Sequence, residues 1–172
     1  MLDADNGRCV SMATVNEGRW TAEIEGDFVV FLIGFRPNSK LHLLRSFLDV
    51  GGRRGMKHML DYLVEHPDKG MLGYEMGFPT IVQYWRSFDD LEAFARNSDD
   101  PHLEPWRNFW RRVGKSGRTG IWHETYIVRD GDYEAIYANV PALGLGKAAT
   151  LIPASESSTA RLRVRRGAAS SE

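Results

Sequence analysis

Residues 28–35, FVVFLIGF, constrain the fold of this chain more strongly than any other segment. The run is far shorter than the roughly 20 apolar residues that a membrane-spanning helix needs. β-Branched and aromatic residues dominate it, and Arg36-Pro37-Asn38 follows it, which is typical of a strand and the turn that ends it. Because apolar side chains occupy both alternating faces, this strand is predicted to lie buried in the centre of a sheet.

The rest of the chain predicts further strands and helices in the order β, α, β, β, α, α, β, with the apolar run as the first strand. Helical spacing of apolar residues marks the helices, and strict alternation marks the last strand. The predicted elements are a helix around residues 56–63 that ends at His66-Pro67, strands over 70–76 and 80–84, a helix capped by Ser87, a helix starting near Pro101, and a strand over 121–128. This order is close to the ferredoxin-like pattern, an α+β fold with an antiparallel sheet and helices on one face.

We predict three segments: a loose N-terminal arm over 1–20, a single α+β barrel domain over 21–152, and a small, polar, disordered tail over 153–172. Residues 133–147, YEAIYANVPALGLGK, are apolar enough to pack on their own domain or on a partner. A sheet with helices on one face leaves its other face open, and apolar residues there need cover. A homodimer that joins two such faces, a dimeric α+β barrel, is therefore predicted.

The composition is that of an ordinary globular protein, with 42% hydrophobic and 26% charged residues. The net charge of −1 gives no reason to expect nucleic acid or a membrane surface as partner. Cys9 is the single cysteine, so an internal disulfide framework is excluded and a cytoplasmic location is expected. The N-terminal residues do not resemble a signal peptide.

His123 lies in the predicted last strand, IWHETYIV. Alternation places it on the same face as Ile121, Thr125 and Ile127. An imidazole that shares a face with two isoleucines is either a satisfied core residue or an acid–base group in an apolar pocket. The residues alone leave both interpretations open.

His102 and Arg86 are two further candidate site residues. His102 follows Pro101 in the first turn of a predicted helix, either as an exposed residue at the helix start or as an axial metal ligand on a rigid support. Arg86 follows Trp85 at a strand end, either stacked at the surface or as the cation for a carboxylate or a haem propionate. Motifs for a zinc site, a P-loop, a dinucleotide fold or a nucleophilic serine are absent from the sequence.

Three segments resemble an uncharacterised bacterial and fungal family that is usually labelled monooxygenase-like. They are VQYWRSFDDLEAFARNSDDPHLEPWRNFWRRVG, GIWHETYIV and YEAIYANVPALGLGKA, and the resemblance covers about residues 28–148. It implies a dimeric α+β barrel.

A more distant resemblance connects the same residues to the C-terminal half of the aldoxime dehydratases, which are haem enzymes built from two such barrels in one chain. It rests on Tyr-Trp-Arg-Ser, Leu-Glu, a proline followed by a histidine, and a strand bearing His-Glu. In those enzymes the histidine after the proline is the proximal iron ligand and the strand histidine is the distal proton donor. The resemblance implies haem b with His102 as axial ligand and His123 as distal acid–base residue. This chain is half as long and has Asp-Asp-Pro-His where those enzymes tend to have His-Pro-Thr-His.

The sequence therefore predicts a haem-dependent enzyme, an oxidoreductase or a lyase, that acts on a small, mostly apolar substrate containing nitrogen or oxygen. Trp106 and Phe109 are predicted to line the flat slot for the porphyrin, and Arg86 to contact a propionate. Two alternatives stay open. One is a cofactor-free monooxygenase of the same fold, and the other is a non-catalytic protein that binds haem or another small ligand.

Overall fold

The apolar run 28–35 forms most of β2, Phe28–Pro37, which is a central strand as predicted. It pairs antiparallel with β4, Thr80–Trp85, on one side and with β5, Thr119–Val128, on the other. β3, Met71–Met76, pairs with β4 at the edge, so the strand order is β3-β4-β2-β5. The structure, a computed structural model, describes residues 13–97, 103–155 and 159–168, with the backbone alone at 53–54, 103–106, 115 and 165–168.

Four helices accompany this sheet: α1, Leu43–Asp49, α2, Gly52–Glu65, α3, Phe88–Arg96, and α4, Leu103–Val113. Buried residues of α2, α3, β2, β3 and β4 form one hydrophobic core. Its members are Val29, Leu60, Leu63, Met71, Ile81, Trp85, Leu91 and Phe94. The predicted α+β fold is therefore confirmed. Within the described ranges, none of the helices is both long and apolar enough to cross a membrane.

A second, three-stranded antiparallel sheet was not predicted. It consists of β1, Asn16–Glu23, β6, Tyr137–Val140, and β7, Thr150–Pro153, in the order β6-β1-β7. The prediction of a loose arm over 1–20 is wrong for Asn16 to Trp20. The sequence of β1 is polar and does not indicate this pairing, because its backbone hydrogen bonds go to two strands that lie more than a hundred residues further along the chain.

The C-terminal part of the chain also differs from the expected disordered tail, since Ala160–Ala168 forms a helix, α5. An ion pair between Arg163 and Glu134 joins this helix to the segment before β6. A contact of this kind links residues that are far apart in sequence, so a local reading of small and polar composition does not reveal it.

The segment 133–147 packs on its own chain. Leu145 and Phe28 belong to a second core cluster with Ala22, and residues Tyr133 and Tyr137 pack against it. The face of the large sheet that is turned away from the helices is therefore covered in part by the same chain. The homodimer, which was inferred from an open face, stays a prediction.

Candidate functional site

A cavity of about 800 Å³ lies between the large sheet and the helices. Phe31, Ile33 and Phe35 of β2 form its floor, and residues of all four helices α1 to α4 contribute to its walls. Among the side chains that line it in the described part of the chain, only Lys57, Gln83 and the indole of Trp85 carry polar groups. An apolar cavity of this size with few polar groups is typical of a small-molecule or cofactor site, for which volumes of about 300–1,000 Å³ are usual.

Aromatic side chains line one end of the cavity. The rings of Phe35, Phe47 and Phe78 contact each other with centroid separations of 5.5, 6.3 and 6.5 Å. Edge-to-face and tilted contacts of this kind hold flat side chains in defined orientations. This end of the cavity presents flat apolar surfaces that suit a flat apolar ligand.

His123 lies beside this cavity on the edge strand β5. Its partner in the register is Ile33, so the two side chains point to the same side of the sheet, towards the helices. The imidazole lies against Phe31, with ring centroids 5.5 Å apart and an angle of 36° between the planes. His123 is exposed, so it is not the satisfied core residue that was one interpretation of the alternation. The structure places a solvent-accessible imidazole next to the cavity floor.

Gln83 is a polar group at the cavity floor that was not among the predicted site residues. It lies on β4 opposite Phe31 and is only 2% exposed. The indole Nε1–H of Trp85 donates a hydrogen bond of 2.9 Å to its Oε1. The alternating pattern of TIVQYW was the available signal, because it puts Ile81, Gln83 and Trp85 on one buried face.

Phe109 of α4 is 5% exposed and lines the cavity. Its contact with a porphyrin stays a prediction. Trp106 is a residue of the same helix, and the structure describes only its backbone. His102 lies outside the described residues, immediately before α4 begins. Its role as axial ligand stays a prediction.

Arg86 lies at the end of β4, but it is not among the residues that line the cavity. Its guanidinium donates to both carboxylate oxygens of Asp90, at 2.9 Å each, and to the carbonyl of Asp68 at 3.4 Å. The hydrogen bonds from Arg86 lower the pKa of the Asp90 carboxyl below its ordinary value, and the one from Ser87 adds to this effect. Arg86 therefore joins the end of β4 to α3, and a propionate role for it stays a prediction.

Lys57 of α2 is the cationic side chain at the cavity wall. Its Nζ lies 2.6 Å from both carboxylate oxygens of Asp61, one helical turn further on. The hydrogen bond to Asp61 raises the pKa of Lys57 above its ordinary value. The described residues contain no group of three or more His, Cys, Asp or Glu side chains that could hold a metal ion.

Residues 28–145 match the family described as Monooxygenase af470-like, and the chain belongs to this family. The resemblance to a monooxygenase-like family is thereby confirmed. The curated protein Monooxygenase af470 of Aspergillus fumigatus is 29% identical over 157 residues, which cover 79% of this chain and 56% of that protein. The chain thus spans about half the length of this relative.

Two solved structures of aldoxime dehydratases share the fold. The first, OxdRE in complex with butyraldoxime, is similar with a TM-score of 0.57 and 16% identity, covering 81% of this chain and 44% of that one. The second is similar with a TM-score of 0.52 and 15% identity, covering 92% of this chain and 46% of that one. The likeness confirms the distant structural relation that was expected from the sequence.

Proposed function

We propose that this protein is a haem-dependent enzyme that acts on a small, mostly apolar substrate containing nitrogen or oxygen. The observation that carries the proposal is an apolar cavity of about 800 Å³ with the imidazole of His123 beside its floor. The monooxygenase-like family and the fold shared with aldoxime dehydratases support an enzyme of this kind.

The apolar, aromatic lining of the cavity supports a haem group by its chemistry. Haem needs a flat apolar slot, an axial ligand and cationic partners for its propionates. The cavity supplies aromatic walls, and Phe109 and Lys57 lie in its lining. His102, which precedes α4 in the sequence, would hold the iron, and Arg86 and Lys57 are the candidate cations for propionates, each bound to an aspartate in the structure.

When bound, the haem supplies an iron centre for redox or Lewis-acid chemistry. The chain's own residues would bind the substrate and exclude water from it, since apolar side chains surround the cavity on the sheet and helix sides. A ring nitrogen of His123 would hold the proton that passes to an oxygen of the substrate, because imidazole is the side chain that most often serves as a general acid or base. Its position beside Phe31 keeps the ring at the edge of the apolar floor.

The absorption spectrum of the purified chain after addition of haem tests this proposal. We expect a Soret band that is lost in His102→Ala and retained in His123→Ala, because only the axial ligand is needed for coordination. His58→Ala is the matched control, since His58 is an exposed histidine on α2 away from the cavity lining. A chain that shows no Soret band after unbound haem has been removed contradicts the haem assignment and favours the cofactor-free monooxygenase.

Turnover separates the remaining classes once haem binding is established. Conversion of an aldoxime under reducing conditions would define a lyase, and peroxide-driven oxidation would define an oxidoreductase. His123→Ala is expected to lower either activity by about 10²–10⁴-fold, the usual contribution of a general acid or base. A protein that binds haem and does neither would be a non-catalytic binder.

A further inference from the structure

Gln83 is a buried amide on the floor of an apolar cavity. It is the only glutamine in the sequence and is 2% exposed. Its side chain lies among apolar and aromatic neighbours, of which Phe31, Ile81 and Trp85 also line the cavity. A polar side chain at such a position needs partners for its donors and its acceptor.

The oxygen of the Gln83 amide has a hydrogen-bond donor, and this hydrogen bond determines how the amide is oriented. Trp85 Nε1–H donates to Gln83 Oε1 at 2.9 Å. An indole nitrogen can only donate, so the oxygen of the amide has to face Trp85 and the NH₂ group has to face away from it. The two residues are two apart on β4, which puts both on the cavity side of the sheet.

The other half of the amide lacks an acceptor among the described residues. Within the part of the chain that the structure describes, no atom accepts a hydrogen bond from Gln83 Nε2. All other buried side-chain nitrogen and oxygen atoms of the described residues have a hydrogen-bond partner. Buried donors without an acceptor are rare in folded proteins, and each one calls for an explanation. Gln83 belongs to the lining of an apolar cavity, and a fixed donor in such a lining is the arrangement expected for recognition of a ligand.

We propose that Gln83 binds the ligand of this cavity by donating a hydrogen bond from Nε2 to a carbonyl or other acceptor atom, and that Trp85 is the positioning residue for the amide. The inference rests on the proposed function in one respect, that the cavity is the ligand site; it does not require haem. The ligand class is an apolar small molecule with a hydrogen-bond acceptor on the part that contacts β4.

The position of Gln83 relative to His123 separates two polar ends of the site. Gln83 is on β4 and His123 is on β5, with Phe31 of β2 between them. The backbones of β4 and β5 are two strand spacings apart, which corresponds to about 10 Å. In this proposal the acceptor bound by Gln83 is a different group from the one that exchanges a proton with His123.

Equilibrium binding of two naphthalenes of the same shape tests the inference. 2-Acetylnaphthalene carries a carbonyl acceptor, and 2-isopropenylnaphthalene replaces its oxygen with a CH₂ group. Binding of each to the full chain is measured by tryptophan fluorescence and calorimetry. We expect the ratio of the two affinities to shift by about 5- to 10-fold in favour of the hydrocarbon in Gln83→Met, the effect of one hydrogen bond.

Ile81→Val is the matched control, since Ile81 lines the cavity on the same strand without a polar group. It is expected to change both affinities equally. The unsubstituted chain offers a second measurement in case Gln83→Met does not fold. With ¹⁵N-glutamine labelling, its single glutamine gives one side-chain amide pair, which should shift with the ketone and not with the hydrocarbon.

The outcomes distinguish this inference from the proposed function. Equal affinity ratios in the unsubstituted chain and Gln83→Met, or an amide resonance that ignores the ketone, overturn the role of Gln83 and leave the haem proposal intact. Binding of neither naphthalene, with a Soret band present, also overturns this inference alone. If the chain binds neither naphthalene and shows no Soret band, both the role of Gln83 and the proposed function are overturned.

Discussion

Asp49, the last residue of α1, is a buried carboxylate that connects α1 to the start of β5. It is 5% exposed and accepts two hydrogen bonds of 2.8 Å from Arg118 and one of 2.8 Å from Thr119 Oγ1. The Thr119 hydroxyl also lies 2.9 Å from Ser46 Oγ. The hydrogen bond from Arg118 lowers the pKa of Asp49 below its ordinary value, although burial acts in the opposite direction. Because α1 and β5 both contribute to the cavity, this pair helps to hold the site together.

We expect Asp49→Asn to lower the free energy of unfolding by about 1–3 kcal/mol at pH 7, since Arg118 and Thr119 lose their charged acceptor. A carboxyl with a lowered folded pKa stabilises the fold above its ordinary pKa and loses this contribution as the pH falls through the folded value. The loss of stability on acidification below about pH 4 should therefore be smaller in Asp49→Asn. Urea denaturation across this pH range measures both effects.

Glu92→Gln is the control for this prediction, because Glu92 pairs with Arg96 on the exposed surface of α3. Exposed pairs contribute little to stability. An Asp49→Asn protein that unfolds like Glu92→Gln at every pH would contradict a stabilising role for the buried pair.

At the scale of the element, α3 shows how a local signal places part of the cavity wall. Ser87 is its N-cap as the sequence predicted, with Oγ accepting a 3.0 Å hydrogen bond from the backbone N–H of Asp90. The helix then carries Leu91 and Phe94 into the core and the cavity lining. The Ser87 cap therefore determines where α3 begins, and with it the positions of Leu91 and Phe94 in the cavity wall.

Ser87→Ala is expected to destabilise the protein by about 1 kcal/mol, because the first turn of α3 loses its side-chain acceptor. Thermal unfolding followed by circular dichroism measures the change. Ser39→Ala is the matched control, since Ser39 stands at the equivalent position before the 3₁₀ turn Lys40–His42 but makes no capping hydrogen bond. Equal melting temperatures for the two variants would show that the Ser87 cap contributes nothing.

At the scale of the whole molecule, the second sheet covers part of the face that the helices leave open. The turn Gly144–Lys147 is the contact point, with Leu145 buried and Gly146 N–H donating to Tyr137 Oη at 2.8 Å. Glu75 of β3 accepts a hydrogen bond from Gly144 N–H and pairs with Lys147 at 2.9 Å. These contacts join the two sheets within one chain.

We expect Leu145→Ala to cost about 2–4 kcal/mol of unfolding free energy, the usual effect of truncating a buried leucine. Leu143→Ala is the matched control, because Leu143 is 38% exposed against 8% for Leu145. Guanidinium denaturation compares the two variants at one protein concentration. A similar small loss in both would mean that the 144–147 turn does not stabilise the large sheet.

The degree to which the sequence predicted each feature follows from the range of the interactions behind it. The helix ends at Ser87 and His66 were predictable because caps and prolines act within a few residues. β1 was not, since its partners lie in β6 and β7. Arg86 was predicted as a ligand cation, and a carboxylate four residues further on, Asp90, binds it in the fold.

The sequence by itself determined the central strand 28–35, the helices α2, α3 and α4 and the α+β order of the large sheet, because hydrophobic periodicity reports which faces must be buried. Only the tertiary structure decided what lies against those faces. Strand pairing brings His123 next to Phe31 and aligns Gln83 with the same residue, and helices from distant parts of the chain enclose the cavity above them. Those positions depend on long-range packing, which local periodicity does not encode.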